Sequence, residues 1–178
     1  MPDSDTGAPP KVVLVIAATL AVALAATVAV FALTQGRARP EAGPLPLVPV
    51  PAPEAGSPGC TALLGAVPTE LTSNGSALKL RELANPAPPA TVAWGTDDPV
   101  VLRCGLNRPP ELTQTAPLRV VNGVQWLQVS GEGASTWYVV DREVYAALTV
   151  PDSAGTGPLQ QLSDTVAAKL PAKPLRFS

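Results

Sequence analysis

The chain has no histidine and only two cysteines, Cys60 and Cys104, in 178 residues. Without histidine it lacks the commonest general base and the commonest metal ligand. Two thiols alone cannot fill a four-ligand zinc site. Charge is scarce as well, at 15% of residues with a formal net charge of −2, so the basic footprint of a nucleic-acid binder is missing. These absences lead us to expect no catalytic residues, no metal and no cofactor. Two features are instead in excess: 22 prolines and one long uncharged apolar run.

The run is VVLVIAATLAVALAATVAVFALT, residues 12–34, whose only polar members are threonines. As a helix at about 1.5 Å per residue it spans about 34 Å, enough for a hydrocarbon core of about 30 Å. It exceeds the apolar stretch of a cleaved signal peptide, about 7 to 15 residues, although VFA ending at Ala32 offers a cleavage site. A retained single-pass anchor is the expectation, and secretion after cleavage is the alternative. The flanking charges, Lys11 before and Arg37 and Arg39 after, lean weakly toward a cytoplasmic carboxyl side. The cysteines lean the other way.

Around this span the chain divides into a polar, disordered amino terminus (1–11), a transmembrane helix (12–34), a Pro-rich linker (35–56), an extracytoplasmic domain (57–171) and a tail (172–178). Residues 40–58 hold seven prolines. They read as a polyproline II stalk reaching up to about 60 Å. In the domain, Ser57 and Pro58 start a short helix that Pro68 ends, with Cys60, Leu63, Leu64 and Val67 on one face. LKLREL, residues 78–83, is ambiguous between strand and helical turn. TVAW and PVVLRCGL read as strands.

Asn122-Gly123, between alternating apolar runs, is a two-residue hairpin turn. It pairs Leu118 with Leu127, Arg119 with Trp126, Val120 with Gln125 and Val121 with Val124. TWYVVD and VYAALTV add two strands. A helix from Pro158 to Pro171 lines Leu159, Leu162, Val166 and Leu170 on one face. The fold expected is α+β: a mostly antiparallel sheet of five or six strands with two flanking helices.

Alternation puts Val100, Leu102 and Cys104 on one strand face, and Cys60 lies on the apolar face of the first domain helix. Both cysteines therefore point into one core. A Cys60–Cys104 disulfide is expected, and with it an oxidising compartment outside the cytoplasm. In the hairpin, Leu118, Val120, Leu127 and Val129 form the more apolar face and are expected to meet the core. Trp126 would then lie outward beside Arg119, a cation–π pair suited to anchoring a partner. The alternative has Trp126 covered by a loop or a neighbouring strand.

Other motifs carry little chemistry. Ser76-Ala-Leu-Lys79 matches the Ser-x-x-Lys of penicillin-recognising enzymes, but no Lys-Thr-Gly accompanies it. Asp97-Asp98 reads as a turn, Asp141 to Glu143 as a charged turn between strands, and Asn74-Gly75-Ser76 as a loop.

The stretches WGTDDPVVLRCGLNRP, VNGVQWL, TWYVVDREVYAALTVP and PLQQLSD resemble an uncharacterised actinobacterial family, the domain of unknown function catalogued as three-five-one-five. The resemblance covers about Ser57 to Leu170, with the apolar span and proline stalk before it. It implies a membrane or secreted protein and supplies no site residues. The expectation is a non-enzymatic envelope protein that binds a protein or cell-wall component, with no nucleic-acid partner. A small envelope enzyme, or a sensor or assembly factor acting through its span, is the alternative.

Overall fold

A computed structural model describes residues 11–35 and 43–177. Apart from Lys11, the polar amino terminus lies outside the described residues, as do linker residues 36–42 and the last residue of the tail. The chain forms two units, one on each side of residues 42–43.

The first unit holds helix α1, Lys11–Gln35, and within it Val12–Val30 is long and apolar enough to cross a membrane. The hydroxyls of Thr19 and Thr27 donate to carbonyls three and four residues back, at 2.8–3.1 Å. Those donors are thus satisfied without water, as a lipid environment demands. A membrane span and a signal sequence both meet this description.

The second unit is an eight-stranded sheet with two further helices, where five or six strands were expected. Its strands are β1 (Glu70–Ser73), β2 (Ser76–Arg81), β3 (Thr91–Trp94), β4 (Val100–Leu106), β5 (Leu118–Val121), β6 (Val124–Ser130), β7 (Ala134–Val139) and β8 (Tyr145–Pro151). The order is β1-β2-β3-β4-β8-β7-β6-β5, antiparallel at every pairing. Two meanders therefore meet at the β4–β8 seam. After β4 the chain crosses to the far edge and returns strand by strand, and the sheet is a half-barrel.

The β5–β6 register is the one that Asn122-Gly123 dictates, and both turn residues have positive φ (47° and 75°). Asn74-Gly75 repeats the device (47° and 78°) and joins β1 to β2, so the segment read as a loop is a hairpin turn. The ambiguous LKLREL is mostly strand β2.

Helix α2, Pro58–Leu64, starts as expected: the Ser57 hydroxyl accepts from the Cys60 amide at 3.3 Å. It stops at Gly65, ahead of Pro68. Helix α3, Gly157–Lys169, buries Leu159, Leu162 and Val166 in the half-barrel, and Leu170 follows them. It also ties down both sheet edges. The Thr72 amide of β1 donates to the Gln161 side chain, and Asn122 beside β5 donates to the Gln160 carbonyl and to Asp164. Each edge strand is thus held by side chains and backbone of one helix, which limits open edge pairing.

Both faces of the sheet are covered. The concave face holds Cys60, Leu63, Trp94, Leu102, Cys104, Trp126, Val139, Leu148 and the α3 side chains. The other holds Leu106, Leu112, Leu127, Val140, Tyr145 and Ala147, under the 107–117 connection and with Ala52 and Leu175 against them. Ala52 and Leu175 come from segments expected to be a linker and a tail. Leu45 forms a parallel bridge with Leu83, and the Glu54 amide donates to the Gly105 carbonyl at 3.0 Å. The compact unit therefore begins at Gly43 rather than residue 57, and seven residues, 36–42, separate it from α1. At the other end, the Lys173 amide donates to the Asp141 carbonyl at 2.8 Å. We call these segments the entering strap (43–56) and the closing strap (171–177).

Candidate functional site

The two cysteines meet. Cys60 on α2 and Cys104 on β4 form a disulfide with 5.5 Å between Cα atoms, and both are fully buried. The Ser57 cap and Pro58 aim the first turn of α2 at the sheet, and the β4 alternation turns Cys104 toward it. The bond joins α2 to β4, one of the two strands of the β4–β8 seam.

Trp126 is not an exposed anchor. It is fully buried under α3, and its indole N–H donates to the Ser163 hydroxyl at 2.9 Å; that hydroxyl in turn donates to the Leu159 carbonyl at 2.7 Å. Trp126 and Arg119 are cross-strand partners, as expected, but Arg119 is exposed at the sheet edge. The expected inside and outside of the hairpin are exchanged around Trp126, while Leu127 is buried on the opposite face. The physical reason is the partner: α3 packs over this face, and its Ser163 supplies the one acceptor that a buried indole N–H requires. Among the described residues the cation–π pair is Arg176 over Tyr145, 5.2 Å from the ring centre.

The charged segment 141–143 lies between β7 and β8, as expected, but only Glu143 is exposed and the other two side chains turn inward. Asp141 and Arg142 are buried and form an ion pair at 2.8 Å, and Arg142 donates to the Gly123 carbonyl at 3.1 Å. Asp141 Oδ1 and Arg142 Nε have no partner among the described residues. Ser76 and Lys79 sit three apart on strand β2, both exposed, so they point to opposite faces rather than converging. Asp97 and Asp98 are exposed between β3 and β4, and among the described residues no three His, Cys, Asp or Glu side chains gather as a metal site.

The surface feature that sequence reading missed lies where the two straps meet the β4 end and the β7–β8 turn. Three adjoining clefts, of about 550, 310 and 380 Å³, all include Arg176 in their walls. The middle one is lined by Pro53, Glu54, Leu106, Asn107, Arg108, Tyr145 and Arg176. Arg176 is fixed in three ways: it stacks on Tyr145, its carbonyl accepts from the Tyr145 hydroxyl at 3.2 Å, and it donates to the Glu143 carbonyl at 2.6 Å. Arg108 donates to the Leu112 carbonyl at 2.7 Å. Both straps were read as detached from the domain, so no sequence signal brought these residues together.

On the outer sheet face, burial lowers the pKa of Arg103 from its ordinary value, with Tyr138 opposing. Burial raises the Tyr138 phenol above its ordinary value near 10.0, assisted by Glu111 and opposed by Arg103.

Fold and site together define a class: a half-barrel domain plugged by one helix, stapled internally by one disulfide, and preceded in the chain by an apolar helix. The chain belongs to the family described as "Protein of unknown function (DUF3515)", whose model matches residues 18–175 and so takes in most of the apolar helix, the entering strap, the whole sheet and the closing strap up to Leu175. No curated protein and no solved structure matches it.

Proposed function

We propose that the chain is a single-pass envelope protein whose domain, residues 43–177, works outside the cytoplasm as a non-enzymatic binding or structural module. The observation that carries this reading is the fully buried Cys60–Cys104 disulfide in a chain that also holds α1. Disulfides persist in oxidising compartments and are rare where thiols are kept reduced. An apolar helix with internally satisfied hydroxyls is the means of crossing into such a compartment. The binding role is supported by the clefts around Arg176, which join fixed charged groups to an aromatic ring. The enzyme alternative gains nothing from Ser76 and Lys79, which diverge on their strand.

The test is a pair of carboxyl-terminal fusions expressed in the native host, one to a phosphatase that needs oxidising conditions and one to a reporter that works only in the cytoplasm. The proposal expects phosphatase activity alone. Activity of the cytoplasmic reporter alone would overturn it.

A further inference from the structure

We infer that the cleft between the two straps binds a small zwitterion, the carboxylate of an amino acid or short peptide resting on Arg108 and Arg176 and its ammonium group facing Glu54. The inference rests on the reading of the domain as a binding module and is independent of its compartment.

Three observations carry it. The cleft, at about 310 Å³, has the volume of a small-ligand site. Its two guanidinium groups are held in place by the backbone carbonyls of Leu112 and Glu143, yet each has five N–H donors to place. Among the described residues neither meets a carboxylate within 4.0 Å, the ion pair at that distance being Asp141–Arg142. Fixed arginine forks without an internal anion are preorganised for an external one, and their planar geometry matches a carboxylate.

The same wall includes Glu54, which has no cation within 4.0 Å among the described residues. Its charge disfavours a phosphate, which would bring close to two negative charges, and favours a ligand that carries its own ammonium. Tyr145, 7% exposed, supplies an apolar floor beneath Arg176. Because Arg176 and Glu54 come from opposite ends of the domain sequence, the site exists only when both straps are docked.

The test uses the full chain in detergent micelles with arginine labelled by nitrogen-15. The probes are alanyl-alanine, its carboxyl-terminal amide, its N-acetyl form and inorganic phosphate. Signals of the Arg108 and Arg176 Nε–H groups are assigned by their loss in R108Q and R176Q. The expected result is a saturable shift of both signals with alanyl-alanine, and affinity about tenfold lower for the amide and for R108Q with the dipeptide. The N-acetyl form should also bind more weakly than the free dipeptide.

Equal binding of dipeptide and amide, tighter binding of phosphate, or no saturable shift would each overturn the inference. Should R108Q fail to fold, the comparison of dipeptide with amide on the unaltered chain separates the same two outcomes. Cytoplasmic fusion activity with intact dipeptide binding would sink the proposed location and leave this site standing.

Discussion

Replacing Cys60 and Cys104 together by alanine probes the energetic role of the staple. The cysteines are 44 residues apart. On the loop-entropy relation a closed loop of this length lowers the unfolded chain's entropy enough to contribute about 4 kcal/mol at 25 °C. Loss of the two buried sulfur atoms adds a smaller packing term. For a domain of about 135 residues the unfolding entropy is about 0.28 kcal/mol/K near 60 °C, so the melting temperature should fall by about 14 °C. Substitution is the right perturbation because both sulfurs are fully buried and a reductant reaches them only through opening of the domain.

The assay is thermal and urea unfolding of the full chain in detergent, followed by near-ultraviolet circular dichroism of the three tryptophans. The reduced stability should appear as a lower urea midpoint. A melting shift under about 5 °C would rule out this role for the bond, since it would mean that the half-barrel and its plugging helix hold α2 without covalent help.

Other perturbations have distinct signatures. Trp126→Ala should cost about 3–5 kcal/mol through the cavity it opens, and Ser163→Ala about 1–3 kcal/mol by stranding the indole N–H, both read by urea unfolding. Gly105→Ala should cost at least about 1–2 kcal/mol, because φ is +82° and the added methyl overlaps the backbone of Glu54 and Ala55; limited proteolysis should then cut the entering strap first. Tyr138 should ionise later than free tyrosine in an alkaline absorbance titration. Its folded pKa is raised, so its contribution to stability is intact below about pH 10 and declines as pH climbs toward the folded value, a decline that Tyr138→Phe should remove.

Local signals were legible where one short motif fixed geometry. Asn122-Gly123 set the β5–β6 register, Ser57-Pro58 started α2, and the Leu159, Leu162, Val166 spacing marked the buried face of α3. The disulfide was legible because two independent periodicities pointed both cysteines inward. The face of the hairpin was not. Hydrophobic count cannot rank two faces when both are covered, and here Leu127 and Trp126 sit in separate cores.

Strands β1 and β2 are hard to see in the sequence because Leu80 of β2 is exposed and, of the ten positions, only Leu71 and Ser73 are buried, so no apolar alternation marks them. The buried Asp141–Arg142 pair and the Arg176 clefts depend on contacts between distant segments. Composition made the straps look detached: proline-rich sequence forms an extended chain whether or not it lies against a sheet, and the few hydrogen bonds that dock it leave no period to read.

Whether the domain is oxidised in its native compartment can be read from the mass of protein purified from its own host under acid quench. The protein is unfolded in denaturant and alkylated, once without and once after reduction. No thiol adduct is expected in the first sample and two in the second. Two adducts in the unreduced sample would mean that the cysteines are free in the cell, and the extracytoplasmic placement would fall with the bond.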